Sequence, residues 1–400
     1  MTGDQQSLAI NGGVPVRDRL LPYGRQTIVE EDITAVVEAL RSDWITTGPR
    51  VEEFEGALAE AVGASHAVCF SSGTAALHAA VFAAGIGTGD EAITTPLTFC
   101  ATANCLLYQG ATPVFGDVLE DTLTLDPKDA ADRITSRTKA IVPVDYAGHP
   151  AELDAFMELA ERHRLVIIED AAQALGATYR KRRVGAVSHM TTFSFHPVKH
   201  ITTGEGGAVT TNDSGLAERL RLFRNHGITT GARERQNAGE WRYQMVALGY
   251  NYRLSDIGCA LGLSQLPRLE ANIACRQAIA ARYAAELADV PCLRLPTVET
   301  DVESAWHLYP VRIVPPIDRD DVCRALRAEG LGVNVHYSLV YDHPYYQERF
   351  GGVGARWNAE AAGRQLMSLP IFGGMSTSDI DDVVTAVRKV LTYFALQKSL

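Results

Sequence analysis

A lysine, an aspartate and a hydroxyl-bearing turn carry the chemistry that this sequence offers. Lys199 lies in Ser194-Phe-His-Pro-Val-Lys199-His-Ile-Thr-Thr-Gly204-Glu-Gly-Gly207, where a β run from His189 to Phe195 ends in a Pro-containing turn and a Gly-rich exit. Open α/β sheets place their chemistry at strand ends and in the loops after them. A lysine held there beside apolar neighbours has its charged form disfavoured and becomes an amine nucleophile. The bland reading is a solvated surface charge on a plain hairpin. Asp170 follows the apolar run Leu165-Val-Ile-Ile168 and precedes Ala171-Ala-Gln173, which puts its carboxylate at a strand's C-terminal edge. There it is a helix N-cap, a metal ligand or the counter-ion of a cationic ring nitrogen. Metal is the weakest of the three, because no His or Cys stands near it at ligand spacing. Ser72-Gly73-Thr74-Ala75 lies between a strand and an alanine-rich helix start, where backbone N–H groups and a hydroxyl make a phosphate site. Simple capping of that helix is the alternative. Together the three parts fit pyridoxal 5'-phosphate, which needs an amine, an acid for its pyridine nitrogen and an anion cradle.

The elements that must position these groups read as an α/β chain. Helices are expected at Ile28–Ser42 and Val51–Val62, and a strand at Ala67–Phe70. Further strands are expected at Glu91–Thr95, Thr112–Phe115, Lys139–Val144, Leu165–Ile168, Met190–Phe195 and Ala208–Thr211, with helices at Cys100–Tyr108 and Pro150–His163 between them. Apolar strands alternating with helices indicate a mixed, mostly parallel sheet covered on both faces. Ser255–Ala288 reads as helical and broken at Pro267. Beyond it, short β pieces (His307–Val314, Val333–Tyr337) and helices (Asp320–Glu329, Ser378–Leu391) indicate a smaller α+β domain. The division expected is a large domain with an N-terminal arm, residues 1–270, and a small C-terminal domain, residues 271–400.

Bulk properties bound the function. Four hundred residues are too many for one compact core. A net charge of −11 without a basic stripe argues against nucleic acid as partner. No apolar run is long enough to span a bilayer, and Met1–Asn11 is polar without a signal-peptide core. The seven cysteines are scattered with no C-x-x-C pair, so core thiols in a reduced compartment, the cytoplasm, are expected.

The chain resembles the sugar-nucleotide aminotransferases of the DegT/DnrJ/EryC1/StrS family, which are aspartate-aminotransferase-like enzymes of PLP fold type I. The likeness rests on Ser72-Gly-Thr-Ala75, Thr95-Pro-Leu-Thr-Phe99, Glu169-Asp-Ala-Ala-Gln173, Ser194-Phe-His-Pro-Val-Lys199, Gly204-Glu-Gly-Gly207 and Gly249-Tyr-Asn-Tyr-Arg253, and extends from Leu21 to Val390. It implies that Lys199 joins the cofactor and then moves protons, that Asp170 pairs with the ring nitrogen and that Gln173 bonds the ring hydroxyl. Phe99 would stack on the ring, although by composition it reads as core. Gly73, Thr74 and Ser194 would hold the phosphate, with Asn251 reaching it from the second subunit of a homodimer whose active site is shared. L-Glutamate would give its amine, leaving pyridoxamine 5'-phosphate, and the acceptor would be a nucleotide-linked keto-sugar.

Pro22-Tyr-Gly-Arg-Gln-Thr-Ile28, Val144-Asp-Tyr-Ala-Gly-His-Pro150, Ser304-Ala-Trp-His-Leu-Tyr309, Val335-His-Tyr337 and His343-Pro-Tyr-Tyr346 are similar to one subgroup. These are the UDP-4-amino-4,6-dideoxy-N-acetyl-β-L-altrosamine transaminases of pseudaminic acid synthesis. The subgroup often has proline after the lysine, where this chain has His200. Arg25 and Arg253 are expected to meet a diphosphate. His307, His336 and Tyr337 are expected to line the sugar pocket, with structural histidines as the alternative. Competing functions are amination of another nucleotide-linked 4-keto or 3-keto sugar, and a non-catalytic regulatory protein of the same fold. A sugar dehydratase requires loss of the lysine, and Lys199 is present.

Overall fold

The computed structural model describes residues 7–352, 354 and 356–398, so the polar start, residues 1–6, lies outside the described residues. Seven strands build the central sheet: β1 (His66–Phe70), β2 (Glu91–Thr94), β3 (Thr112–Phe115), β4 (Thr138–Val142), β5 (Val166–Asp170), β6 (Met190–Ser194) and β7 (Gly207–Thr211). Their spatial order is β1-β7-β6-β5-β4-β2-β3. β7 runs antiparallel to both of its neighbours, and the remaining pairs are parallel. Ile141, Ile167, Phe193 and Val209 are fully buried within it, as strands covered on both faces require.

Helices supply that cover: α1 (Glu30–Arg41), α2 (Pro49–Val62), α3 (Gly73–Ala83), α4 (Ala101–Tyr108), α5 (Leu153–His163), α6 (Ser214–Arg224), α7 (Asp256–Gln265) and α8 (Leu269–Glu286). α3, α4 and α6 share one apolar core with the sheet, and α2 and α7 share another. α3 is buried along nearly its whole length, and its run of alanines lets the helix axis lie close to the strands. The expected break at Pro267 is a short 3-10 turn, Leu266–Arg268, between α7 and α8. α8 passes from one unit to the other, with Ile273 in the large unit's core and Ile279 and Tyr283 in the smaller one.

The smaller core lies over a three-stranded antiparallel sheet, β8 (Leu293–Arg294), β9 (Tyr309–Ile313) and β10 (Leu366–Leu369), with α9 (Arg319–Ala328) and α10 (Thr377–Gln397). Two expectations fail there. The N-terminal arm, read as part of the large domain, packs with the smaller one. Leu8 and Leu21 enter its core, and Leu21–Pro22 pairs in parallel with Leu331–Gly332. Val333–Tyr337 is not a strand. Pairing ends at Gly332, apart from a bridge from Asn334 to Ser368, and the chain turns to present His336 and Tyr337 to a cavity. Among the described residues, no helix is long and apolar enough to cross a membrane.

Candidate active site

A cavity of about 550 Å³ opens where β5 and β6 end and the smaller unit closes over the sheet. Parallel strands that stop together leave their last side chains facing one crevice, which is where open sheets hold ligands. Gly73, Thr74, Phe99, Asp170, Gln173, Ser194, Lys199, His307, His336 and Tyr337 all line it. Arg25, Arg253 and Asn251 do not. Arg25 lines a neighbouring cavity. Arg253 donates to Asn225 Oδ1 at 2.7 Å, and Asn251 is exposed on a bridge to Asn225.

Lys199 is fixed by its loop. The Lys199 N–H donates to the His196 carbonyl (2.9 Å), and the turn is closed below by Phe195 N–H to Gly206 O and Thr203 N–H to Phe195 O. Lys199 is half-buried on the cavity wall, and among the described residues its amine lies in hydrogen-bond reach of His307 Nε2 at 3.4 Å. Burial disfavours the ammonium and Arg276 adds repulsion, while Asp170 opposes both; the net effect draws the pKa from 10.5 to about 8. The amine is therefore available near neutral pH, whereas a solvated lysine would be almost wholly charged.

Asp170 is the last residue of β5 and not the cap of a helix, because a turn follows it. The Thr102 hydroxyl donates to Asp170 Oδ2 at 2.7 Å and the Ala172 N–H to Oδ1 at 3.2 Å. Burial pushes its pKa up, and these two donors and Lys199 pull it back. Such a carboxylate is basic enough to hold a proton on a ring nitrogen opposite it. Gln173 is oriented by its partners: Oε1 accepts from Ala147 N–H (2.7 Å) and Nε2 donates to the Tyr337 hydroxyl (2.8 Å). One further Gln173 N–H remains for an oxygen in the cavity.

Ser72 resolves the capping alternative, since it caps α3 by accepting from Ala75 N–H at 3.1 Å. Capping by Ser72 leaves the rest of the first turn free. The Gly73 and Thr74 amides of the first turn have no helical acceptor and point to the cavity that they line. A Cβ on Gly73 would come within 3.0 Å of Ser194 Cβ, so glycine keeps this cradle open. Phe99 is 55 % exposed with its ring 6.1 Å from that of Tyr337, which excludes the core reading.

His307 is buried beside Lys199, with Nδ1 lacking a partner, and burial with the nearby cations holds it neutral. His336 is tied to Ser368 at 2.9 Å and drawn down to about 4 by burial, so it too is neutral. Tyr23, Thr98, Thr102, His196, Glu205 and Asn334 also line the cavity, and the sequence reading assigns none of them a role. The Thr98–Thr102 pair was visible in principle. The two hydroxyls, one from the bend before α4 and one from its first turn, lie 2.8 Å apart.

The donor set fits pyridoxal phosphate: an amine that sheds its proton readily, a buried carboxylate, an oriented amide and an open helix start lie around one space. The sequence model of the DegT/DnrJ/EryC1/StrS aminotransferase family matches residues 26–388. The chain is 42 % identical over 384 residues to the spore coat polysaccharide biosynthesis protein SpsC of Bacillus subtilis (strain 168), covering 94 % of this chain and 99 % of that one. It superposes on Helicobacter pylori PseC, an aminotransferase involved in the biosynthesis of pseudoaminic acid, with a TM-score of 0.88, 34 % identity and coverage of 94 % and 100 %. The putative sugar aminotransferase Spr1654 of Streptococcus pneumoniae matches in its PMP form with a TM-score of 0.88 and 31 % identity, over 93 % of this chain and 99 % of that one. The PLP form of Spr1654 matches over the same shares with a TM-score of 0.87 and 30 % identity.

Proposed function

This chain belongs to the DegT/DnrJ/EryC1/StrS aminotransferase family and is a PLP-dependent sugar aminotransferase, and from that premise we propose its substrates. It moves an amino group from L-glutamate to C4 of a UDP-linked 4-keto-6-deoxy-N-acetylhexosamine, a step of the pseudaminic acid type. The observation that carries the chemistry is the Lys199 amine, drawn down to about 8, in one cavity with Asp170 and the start of α3. The likeness to PseC supports the choice of sugar.

When bound, the cofactor supplies an aldehyde carbon and an electron-withdrawing ring that carry the amino group between substrates. Gly73, Thr74 and Ser194 would grip its phosphate, and Asp170 would hold the proton on its ring nitrogen. Gln173 would donate to its ring oxygen, and Phe99 would cover one face. The Lys199 amine would move a proton between the reacting carbons. Neutral His307 accepts from the Lys199 amine and keeps it aimed. His336 and Tyr337 face the sugar, and Asn251 would complete the phosphate site from the second chain of a homodimer.

The test is a panel of UDP-, dTDP- and GDP-linked 4-keto sugars offered with L-glutamate to the loaded enzyme. The amino sugar is followed by mass spectrometry and 2-oxoglutarate by a coupled assay. Amination of the UDP-linked N-acetyl sugar is expected. Turnover confined to dTDP or GDP sugars overturns the nucleotide, and absence of 2-oxoglutarate with every sugar overturns the donor.

A further inference from the structure

A second cavity, of about 210 Å³, shares Lys199 with the first. Arg25, Arg268 and Arg276 line it, with Asn272 and Cys275, and among the described residues no carboxylate does. That is notable in a chain of net charge −11. The larger cavity shows the opposite character, with Asp170 and Glu205 on its wall and, among the described residues, no arginine.

Arg276 is 1 % exposed, and all its hydrogen-bond acceptors are neutral. It donates to the carbonyls of Trp306 (3.1 Å), His307 (3.3 Å) and Ile371 (3.1 Å) and to Asn272 Oδ1 (3.3 Å). A buried guanidinium without an anion is costly, and burial draws this one down to about 10. Arg25 is exposed and makes no hydrogen bond or ion pair among the described residues. Arg268 holds Asp32 in a forked pair at 2.7 and 2.8 Å, which leaves the cavity with a cationic surplus.

We propose that this arginine-lined cavity is an oxyanion site that takes a carboxylate or a phosphate beside the Lys199 loop. Guanidinium groups grip either anion through paired N–H donors. The volume admits a group of a few heavy atoms and not a nucleotide. Two sources share this chemistry: a carboxylate of a dicarboxylic amino donor, and free phosphate. The site goes beyond the reading of the sugar and stands whichever keto-sugar is aminated. An anion there offsets the repulsion that Arg276 exerts on Lys199.

The experiment uses the full chain loaded with pyridoxal phosphate, so that the α3 cradle is filled. Inorganic phosphate is titrated in one arm and glutarate, a dicarboxylate with no amine to react, in the other. Ionic strength is fixed with chloride, and two readouts are followed: the thermal midpoint and the rate at which iodoacetamide alkylates Cys275. Cys275 is an exposed thiol on the cavity wall. A saturable rise in midpoint with slowed alkylation is expected. Arg25→Glu, a surface change that leaves Arg276 in place, is expected to weaken binding about tenfold or more, the loss of a charge-assisted contact. Tighter binding of glutarate identifies the donor carboxylate as the source, and tighter binding of phosphate identifies free phosphate. No saturable shift in either arm, or binding unchanged by Arg25→Glu, overturns the site.

Discussion

At the scale of single residues, Lys199 carries a cost that is part of its use. Its pKa is drawn down from 10.5 to about 8 in the folded protein. Below pH 8 both states hold the proton, and the folded one bears the full cost of an enclosed ammonium. As pH rises from 8 to 10.5 the unfolded chain still binds the proton that the folded chain has shed, so stability climbs across that window. Lys199→Met is therefore expected to stabilise the cofactor-free protein at pH 7 by on the order of 2 kcal/mol, allowing for the amine's access to cavity water. The gain should fade by pH 10.5, as read by urea unfolding at several pH values, while amino transfer is abolished. Equal stability of the two proteins at pH 7 would show that the amine is not desolvated. Asp170 depends on Thr102 in the complementary way. Thr102→Val removes the 2.7 Å donor and leaves a buried carboxylate oxygen short of a partner, which costs about 1–3 kcal/mol. Cofactor affinity measured by absorbance should fall with it, and Thr102→Ser should restore both. Full affinity in the valine variant would remove Thr102 from the site.

At the scale of elements, the proposed phosphate cradle lies where β6, β7 and α3 meet with no room to spare. A Cβ on Gly207 would lie 2.7 Å from Gly73 N, Phe193 O and Ser72 C, all of them backbone atoms that cannot swing aside. Gly207→Ala is expected to cost about 1–3 kcal/mol by overpacking, and to weaken the cofactor more than stability alone explains. Calorimetry of the free and loaded protein separates the two effects, and an unchanged cofactor dissociation constant would detach the cradle from this contact. Most of this architecture is legible in sequence, because strands buried on both faces read as apolar runs and Pro267 marks the break before α8. Lys199, Asp170 and Ser72 were legible by type and position, but the choice among their roles was not. Whether Asp170 caps a helix depends on the turn after it, and whether Phe99 is core depends on a neighbour some 240 residues away, Tyr337. Val333–Tyr337 has the composition of a strand, yet the pairing that would make it one is used up at Gly332 by Leu21–Pro22.

At the scale of the whole molecule, contacts distant in sequence decide what local pattern cannot. The Glu329 carboxylate is fully buried in the smaller unit and accepts from Ala9 N–H (2.8 Å), Val16 N–H (3.0 Å) and Lys389 Nζ (2.9 Å). Nothing near Ala9 announces a partner 320 residues on. Removing residues 1–20 is expected to leave Glu329 with Lys389 alone and to expose the Leu8 pocket, so hydrogen exchange should rise first in α9 and α10. Uniform exchange across both units would mean the arm is dispensable there. Asn251 poses the larger question, because it lies outside its own chain's cavity, near side chains that a monomer would leave wet. Trp241 is 81 % and Leu248 75 % exposed, with Tyr243 and Met245 also on the surface, an apolar patch of the kind a second copy covers. If Asn251 serves the partner's site, Lys199→Ala and Asn251→Asp should each be inactive alone and regain activity when mixed. One site of the mixed dimer then carries both defects and the other carries neither. If Asn251 serves its own chain, each site of the mixed dimer keeps one defect and the mixture stays inactive, which would refute the shared site.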